Sequence, residues 1–331
     1  MALGLRSYRP LITGTSHMAA TGHYLATAAA FRILEQGGNA TDAGVAAGIA
    51  INVTLPQYTS FGGVAPIMIH DAASKETITI SGLGRWPKAA SIDYFDQNFD
   101  GKMPPGVYRT VTPSAADAWL LALKRNGTMT FAQVVTPALE IAERGFPIPD
   151  TLHRALAREY AKFDDGSRDK SHWASTLEIY YAAGRAIGRG EMLFQKDLAN
   201  TFRRLIQVEK DNSSRGREGA LQAARDFFYR GEIAEEMVRF SQQQGGLLTW
   251  EDLASFEAKV EPPATINYKG IDVYTCGPWC QGPTSLQALH ILEGFDLQDM
   301  GHNSPDYLHT LLESLKLAFS DRHSYYGDPD F

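Results

Sequence analysis

The chain has 331 residues, 44% of them hydrophobic, enough to bury a substantial core as one large domain or two ordinary ones. Its formal charge is −7, and its lysines and arginines are scattered rather than clustered. That leaves no electrostatic footprint for nucleic acid or anionic lipid, so a small neutral or acidic ligand is the default partner.

Residues 1–13 carry Arg6 and Arg9 but no apolar core of secretory-signal length, so the chain as written reads as cytoplasmic. Residues 24–36 place apolar side chains at helical spacing, and Gly37-Gly38-Asn39 stops that helix. A second, more buried helix follows over 40–53. The apolar stretch 40–55 is broken by Thr41, Asp42, Asn52 and Thr54 and is too short to cross a bilayer. Beyond Gly62-Gly63, residues 65–70 and 77–80 read as adjacent antiparallel strands.

From Pro113 onward apolar residues recur every three or four positions over 115–124, 131–144, 152–163, 195–209 and 219–228, predicting a helical middle layer. The polar segments 166–172 and 209–218 suit exposed loops rather than linkers, and no clean domain boundary shows. Strand character returns at 265–268 and 271–275, then a loop over 276–283 and helices over 284–293 and 305–325. The chain closes on a turn without the polar tail expected of a natural terminus, so the fold reads as unfinished.

No self-contained catalytic set is present: there is no GxSxG elbow, HExxH, P-loop, or GxGxxG after a strand. The nine histidines are dispersed, and the six-residue spacing of His17 and His23 does not share a helical face, so they read as hydrogen-bonded or surface groups rather than metal ligands. Glu140, Glu143 and Arg144 read as a solvated helix face with weak ion pairs. Cys276 and Cys280, separated by three residues, fit neither CxxC chemistry nor a four-ligand zinc site, and read as reduced structural thiols. No metal or organic cofactor is signalled.

Several strings in order resemble the γ-glutamyltransferase family over nearly the whole chain. They are Gly37-Gly38-Asn39-Ala40-Thr41-Asp42-Ala43, Gly62-Gly63 after Pro56, Phe228-Tyr229-Arg230-Gly231-Glu232-Ile233-Ala234, and Gly245-Gly246-Leu247-Leu248-Thr249-Trp250-Glu251-Asp252-Leu253. The closing run is the strongest: Ile291-Leu292-Glu293-Gly294-Phe295-Asp296-Leu297, Asn303-Ser304-Pro305-Asp306-Tyr307-Leu308-His309, Leu315-Lys316-Leu317-Ala318-Phe319-Ser320-Asp321-Arg322 and Gly327-Asp328-Pro329-Asp330-Phe331.

The resemblance implies an α+β, four-layer αββα N-terminal nucleophile hydrolase sandwich, completed by a separate small subunit cut from the same precursor. Residues 1–331 would form its large subunit, a single domain with a helical middle region, and a dimer of such heterodimers is an assembly open to it. The nucleophile would be the threonine that begins the small subunit, its own α-amine acting as base and backbone N–H groups receiving the oxyanion. No catalytic residue is then expected in this chain, whose Met1 or Ala2 offers no hydroxyl or thiol.

Family transferases set an arginine of a DxRE-like string against the donor's α-carboxylate. Alignment on Pro87 puts Leu83 at that position, with Arg85 two residues further on and Trp86 beside it. Gly62-Gly63-Val64-Ala65 replaces a run of four glycines, which brings Tyr58, Thr59 and Ser60 forward as pocket residues. The substrate-binding candidates are therefore Arg85, Trp86, Leu83, Tyr58 and Ser60, against plain alternatives of an exposed turn arginine and ordinary packing of Tyr58. Trp279 and Gln281, where a PPxSSGG-like string is replaced, would shape access. These departures point to hydrolysis of a small acidic amide, with oxamate giving oxalate and ammonia as the expected case. γ-Glutamyl transfer or glutathione hydrolysis through a displaced Arg85 or Arg109, a cephalosporin (glutaryl) acylase, and a catalytically silent binding protein stay open.

Overall fold

In the computed structural model, which describes residues 11–166 and 168–330, the periodic segments become helices and short strands. In chain order they are α1 (Tyr24–Glu35), α2 (Ala40–Thr54), β1 (Ile67–Asp71), β2 (Glu76–Ile80), α3 (Ile92–Phe99), α4 (Ala115–Asn126), α5 (Phe131–Arg144), β3 (Phe146–Pro147), α6 (Asp150–Asp164) and α7 (Ala174–Tyr180). The rest are β4 (Met192–Leu193), α8 (Lys196–Asp211), α9 (Gly216–Arg230), α10 (Glu232–Gln243), α11 (Trp250–Ala254), β5 (Val260–Glu261), β6 (Ala264–Tyr268), β7 (Ile271–Thr275), α12 (Gly282–Leu292), α13 (Leu297–Met300) and α14 (Pro305–Tyr325). The chain divides into two compact units, one of residues 1–60 and 123–224 and one of 61–122 and 225–331. Two of the crossings fall inside α4 and α9, where unbroken helical periodicity leaves no composition change to mark them.

In the first unit α1 and α2 pack on each other and on α5, which in turn packs on α8. The Gly37–Ala43 string builds this corner. A Cβ on Gly38 would lie 2.6 Å from Ile33 Cγ2 and 3.0 Å from the Ile33 carbonyl oxygen, so the turn closes too tightly for a side chain. The Asn39 side chain then accepts from Asp42 N–H while the Asp42 carboxylate accepts from Asn39 N–H, a reciprocal cap on α2. Asp42 is fully buried and also takes the N–H groups of Thr128 and Met129 and the Thr128 hydroxyl, tying α2 to the turn before α5.

The exposed loop expected over 209–218 shrinks to a short exposed turn over 212–215. Helix α8 continues to Asp211 and α9 begins at Gly216. Glu209 is buried because the first-turn amides of α5 need an acceptor: its carboxylate takes Phe131 N–H at 2.6 Å and Ala132 N–H at 2.8 Å. Burial pushes the Glu209 carboxyl up, and the two N–H donors oppose that shift.

The second unit holds a three-stranded antiparallel sheet in the order β1-β2-β5, with Ile67 opposite Ile80 and Ile80 opposite Val260. Ile78 and Ile80 of β2 are buried. The hairpin β6-β7 carries α12, which packs against α14. A buried ion pair between Asp117 of α4 and Arg225 of α9 anchors the chain entering β5: Arg225 also donates to the Phe256 carbonyl, and Asp117 accepts Ala258 N–H at 2.7 Å. The Tyr229 hydroxyl donates to the Pro113 carbonyl at 2.8 Å and accepts Asp117 N–H at 3.1 Å. Among the described residues no helix is long and apolar enough to cross a membrane.

Candidate functional site

Past the end of β2 the chain runs on as an extended segment held on both sides. Ala65 N–H donates to the Gly82 carbonyl, Ser81 N–H to the Lys259 carbonyl and Thr112 N–H to the Arg85 carbonyl, each at 2.8 Å. The approach is so close that a Cβ on Gly82 would stand 2.0 Å from the Ala65 carbonyl oxygen. This pairing presents Leu83 and Arg85 at a hollow of ≈60 Å³, shared with Lys259, Glu261, Trp279 and Asp330.

The hollow gathers two cations, Arg85 and Lys259, with four carboxylates, Glu257, Glu261, Asp328 and Asp330. Lys259 Nζ donates to Asp330 Oδ2 at 2.6 Å, and Arg85 Nη2 lies 3.9 Å from the same oxygen. The Lys259 ammonium, and then Arg85, hold the Asp330 carboxyl below its usual range. Trp279 Nε1 donates to Glu261 Oε2 at 2.8 Å, which fixes the indole at the rim. A small anion entering here would have to compete with Asp330 for these two cations.

Of the five predicted residues, Leu83 and Arg85 meet in this hollow. Trp86, 45% exposed, is not in its lining. Tyr58 is exposed and lines a different hollow, in the first unit, and Ser60 is exposed but lines neither hollow. Arg109 is engaged elsewhere, donating to the Met103 and Pro104 carbonyls at 3.1 Å.

Sequence reading missed Lys259, which sits in the unremarkable run Glu257-Ala258-Lys259-Val260-Glu261, and it used Asp330 only as part of a family string. Both cysteines are free thiols, and burial pushes Cys276 up to about 11, which favours the protonated thiol at neutral pH. His23 caps α1 by accepting Leu25 N–H, and His17 pairs with Glu35 at 3.4 Å. Among the described residues no group of three His, Cys, Asp or Glu could hold a metal ion.

The family model described as gamma-glutamyltranspeptidase matches residues 26–331. The glutathione hydrolase proenzyme of Bacillus subtilis (strain 168) is 32% identical over 332 residues, covering 98% of this chain and 52% of that protein. The acylase ACY 1 proenzyme of Pseudomonas sp. (strain V22) is 30% identical, covering 96% of this chain and 55% of that one. The chain therefore spans about half the length of the curated relatives it matches. The crystal structure of Helicobacter pylori gamma-glutamyltranspeptidase superposes with a TM-score of 0.84 at 27% identity, covering 97% of this chain and 87% of that one. The α+β class expected from the sequence is the one found, and with the ordered strings, the family match and this superposition in agreement, the chain belongs to the gamma-glutamyltranspeptidase family.

Proposed function

We propose that the complete protein is an autoprocessed amidohydrolase that cleaves the amide of a small carboxylate-bearing substrate, and that this chain supplies the carboxylate clamp. The observation that carries the reading is the Arg85–Lys259 pair around one carboxylate oxygen, at a hollow that Leu83 also lines. The Asp330 carboxylate there stands in for the substrate's. The nucleophile would be the N-terminal threonine of a small subunit cut from the same precursor. Its hydroxyl attacks the amide carbonyl, its α-amine passes the proton to the leaving nitrogen, and water then hydrolyses the acyl ester. The chain's own part is to orient the substrate, a contribution that depends on placement within a few tenths of an ångström.

The replacement of the family arginine by Leu83, with Arg85 two residues on and Trp86 beside it, is what favours a short acid over a glutamyl or glutaryl chain, and oxamate, giving oxalate and ammonia, is the substrate we propose. Glutathione hydrolysis is the second reading, favoured by the name of the Bacillus relative and by a cation pair able to hold an α-carboxylate. Intact-mass analysis and N-terminal sequencing of the protein from its complete gene should reveal a second chain beginning with threonine. Ammonia release from oxamate without turnover of a γ-glutamyl anilide is the expected result of a substrate panel, and the reverse pattern overturns the assignment. Arg85→Ala should raise KM at least ~10-fold, with a smaller change in kcat, if the clamp acts in ground-state binding.

A further inference from the structure

We propose that the first unit carries a second small-molecule site, for an aromatic monocarboxylate, in the hollow that Tyr58 shares with α6, α7 and the segment between them. The hollow encloses ≈350 Å³, at the lower end of the range for small-ligand pockets. All of its lining residues belong to the first unit, so the inference stands whatever the substrate of the complete protein proves to be.

The charge around this hollow is unbalanced. Arg158 and Arg168 both line it, and the single carboxylate in the lining is Glu159. Arg168 Nη1 lies 2.7 Å from Glu159 Oε2, and Lys162 Nζ donates to Oε1 at 2.8 Å. Arg158 Nε stands 3.8 Å off, beyond hydrogen-bonding reach. Three cations thus share one anion. A carboxylate offers about four acceptor sites, against about thirteen N–H donors on two guanidiniums and an ammonium. The Lys162 hydrogen bond, and then Arg168, hold the Glu159 carboxyl below its usual range. Burial pushes the Tyr180 and Tyr181 phenols up to about 12, so neither adds a negative charge at neutral pH. The side chains of Arg158 and Arg168 are 75% and 28% exposed, so a solute reaches both.

The walls choose the body of the ligand. The Arg168 guanidinium lies over the Phe163 and Trp173 rings at 5.6 and 5.0 Å, and the Tyr181 ring meets Phe163 edge-on at 5.9 Å. The Tyr58 ring is 77% exposed at the same hollow. An inorganic anion would leave these rings against water, and a neutral arene would leave the surplus donors unmet. A ring carrying one carboxylate uses both surfaces. One negative charge is also what balances two guanidiniums set against Glu159.

Cinnamate is the probe and its uncharged amide, cinnamamide, the control, both titrated against the complete protein by saturation-transfer NMR. The few heavy atoms of cinnamate set an expected dissociation constant on the order of 1 mM. Cinnamamide should bind at least ~5-fold more weakly. Arg168→Gln should weaken cinnamate at least ~5-fold, whereas Arg85→Ala, in the other unit, should leave it within ~2-fold of wild type. Glu159→Gln removes the competing carboxylate and should tighten cinnamate at least ~3-fold without strengthening cinnamamide, a gain that a misfolded variant cannot imitate. Any one of the following overturns the inference: no saturation transfer to cinnamate at roughly 10 mM, cinnamamide binding as tightly as cinnamate, Arg168→Gln binding cinnamate as tightly as wild type, Glu159→Gln binding it no tighter, or Arg85→Ala abolishing the binding.

Discussion

Removing the Asp42 carboxylate should loosen the corner of the first unit. Asp42→Ala strips the acceptor from Met129 N–H, which is buried, and from Asn39 N–H, Thr128 N–H and the Thr128 hydroxyl, which are nearer solvent. A fully enclosed donor left unpaired costs ~2 kcal/mol, and water recovers most of the loss at the other two amides, so each adds ~0.5 kcal/mol. The total is ~3 kcal/mol, equivalent to exchange on the order of 100-fold faster at an amide whose opening depends on this contact. Hydrogen exchange at Met129, measured alongside the denaturation midpoint, reads both consequences. Asp42→Asn keeps an oxygen for Thr128 and Met129 but turns an amide donor toward the remaining donors, and should lose about half as much. If Asp42→Ala left Met129 exchange within ~3-fold of wild type and the midpoint unmoved, the carboxylate would not be what joins α2 to the turn before α5.

Asp117→Asn removes one partner of a buried ion pair and leaves the Arg225 guanidinium enclosed, so thermal denaturation should show a loss of ~3–5 kcal/mol; an exposed-pair value below ~1 kcal/mol would contradict that burial. Gly82→Ala must push the chain off the Ala65 carbonyl, with a stability cost of ~1–3 kcal/mol and, in the complete enzyme, a raised KM as Leu83 and Arg85 shift; an unchanged melting point would refute the close approach. The Arg185 guanidinium and then Gly188 N–H hold the Glu191 carboxyl down to about 2. A depressed folded-state value means the contact is fully present above the ordinary carboxylate range and is lost as pH falls towards about 2. An NMR titration of Glu191 with a midpoint near 4.5, the ordinary value for a glutamate, would show that the contact is not formed.

How much of this was legible depends on whether a feature is local. Helices α5 and α14 begin and end where periodicity puts them, and α1, α2 and the β1-β2 and β6-β7 hairpins lie within two residues of their predicted positions. Helix α10 was not read because Gly231 closes the periodic run of α9 one residue before Glu232 opens the next, and β5 is too short for alternation to show. Glu209 was misread because a charged residue in a polar stretch looks solvated until the amides it serves, 77 and 78 positions away, are known.

The same distinction separates the residues that identify the family from those that would choose a substrate. Gly38, Asn39 and Asp42 are dictated by backbone needs: a close approach, a helix cap and a set of donors requiring one buried acceptor. Any member of the fold with this corner has those needs whatever it hydrolyses, so the string marks the scaffold and is silent on chemistry. The Arg85 clamp we propose depends on a partner brought by the pairing of Lys259 with Ser81 across 178 positions, and ultimately on Asp117 and Arg225 across 108. No short string contains that relation. On that proposal, substitutions at Leu83, Arg85 and Lys259 would change the substrate of this protein while its signature strings stay as they are. Exchanging Leu83 or Lys259 should accordingly alter KM for acidic amides without shifting the stability that Asp42 governs, and a matching loss of stability would show that clamp and scaffold are not separable.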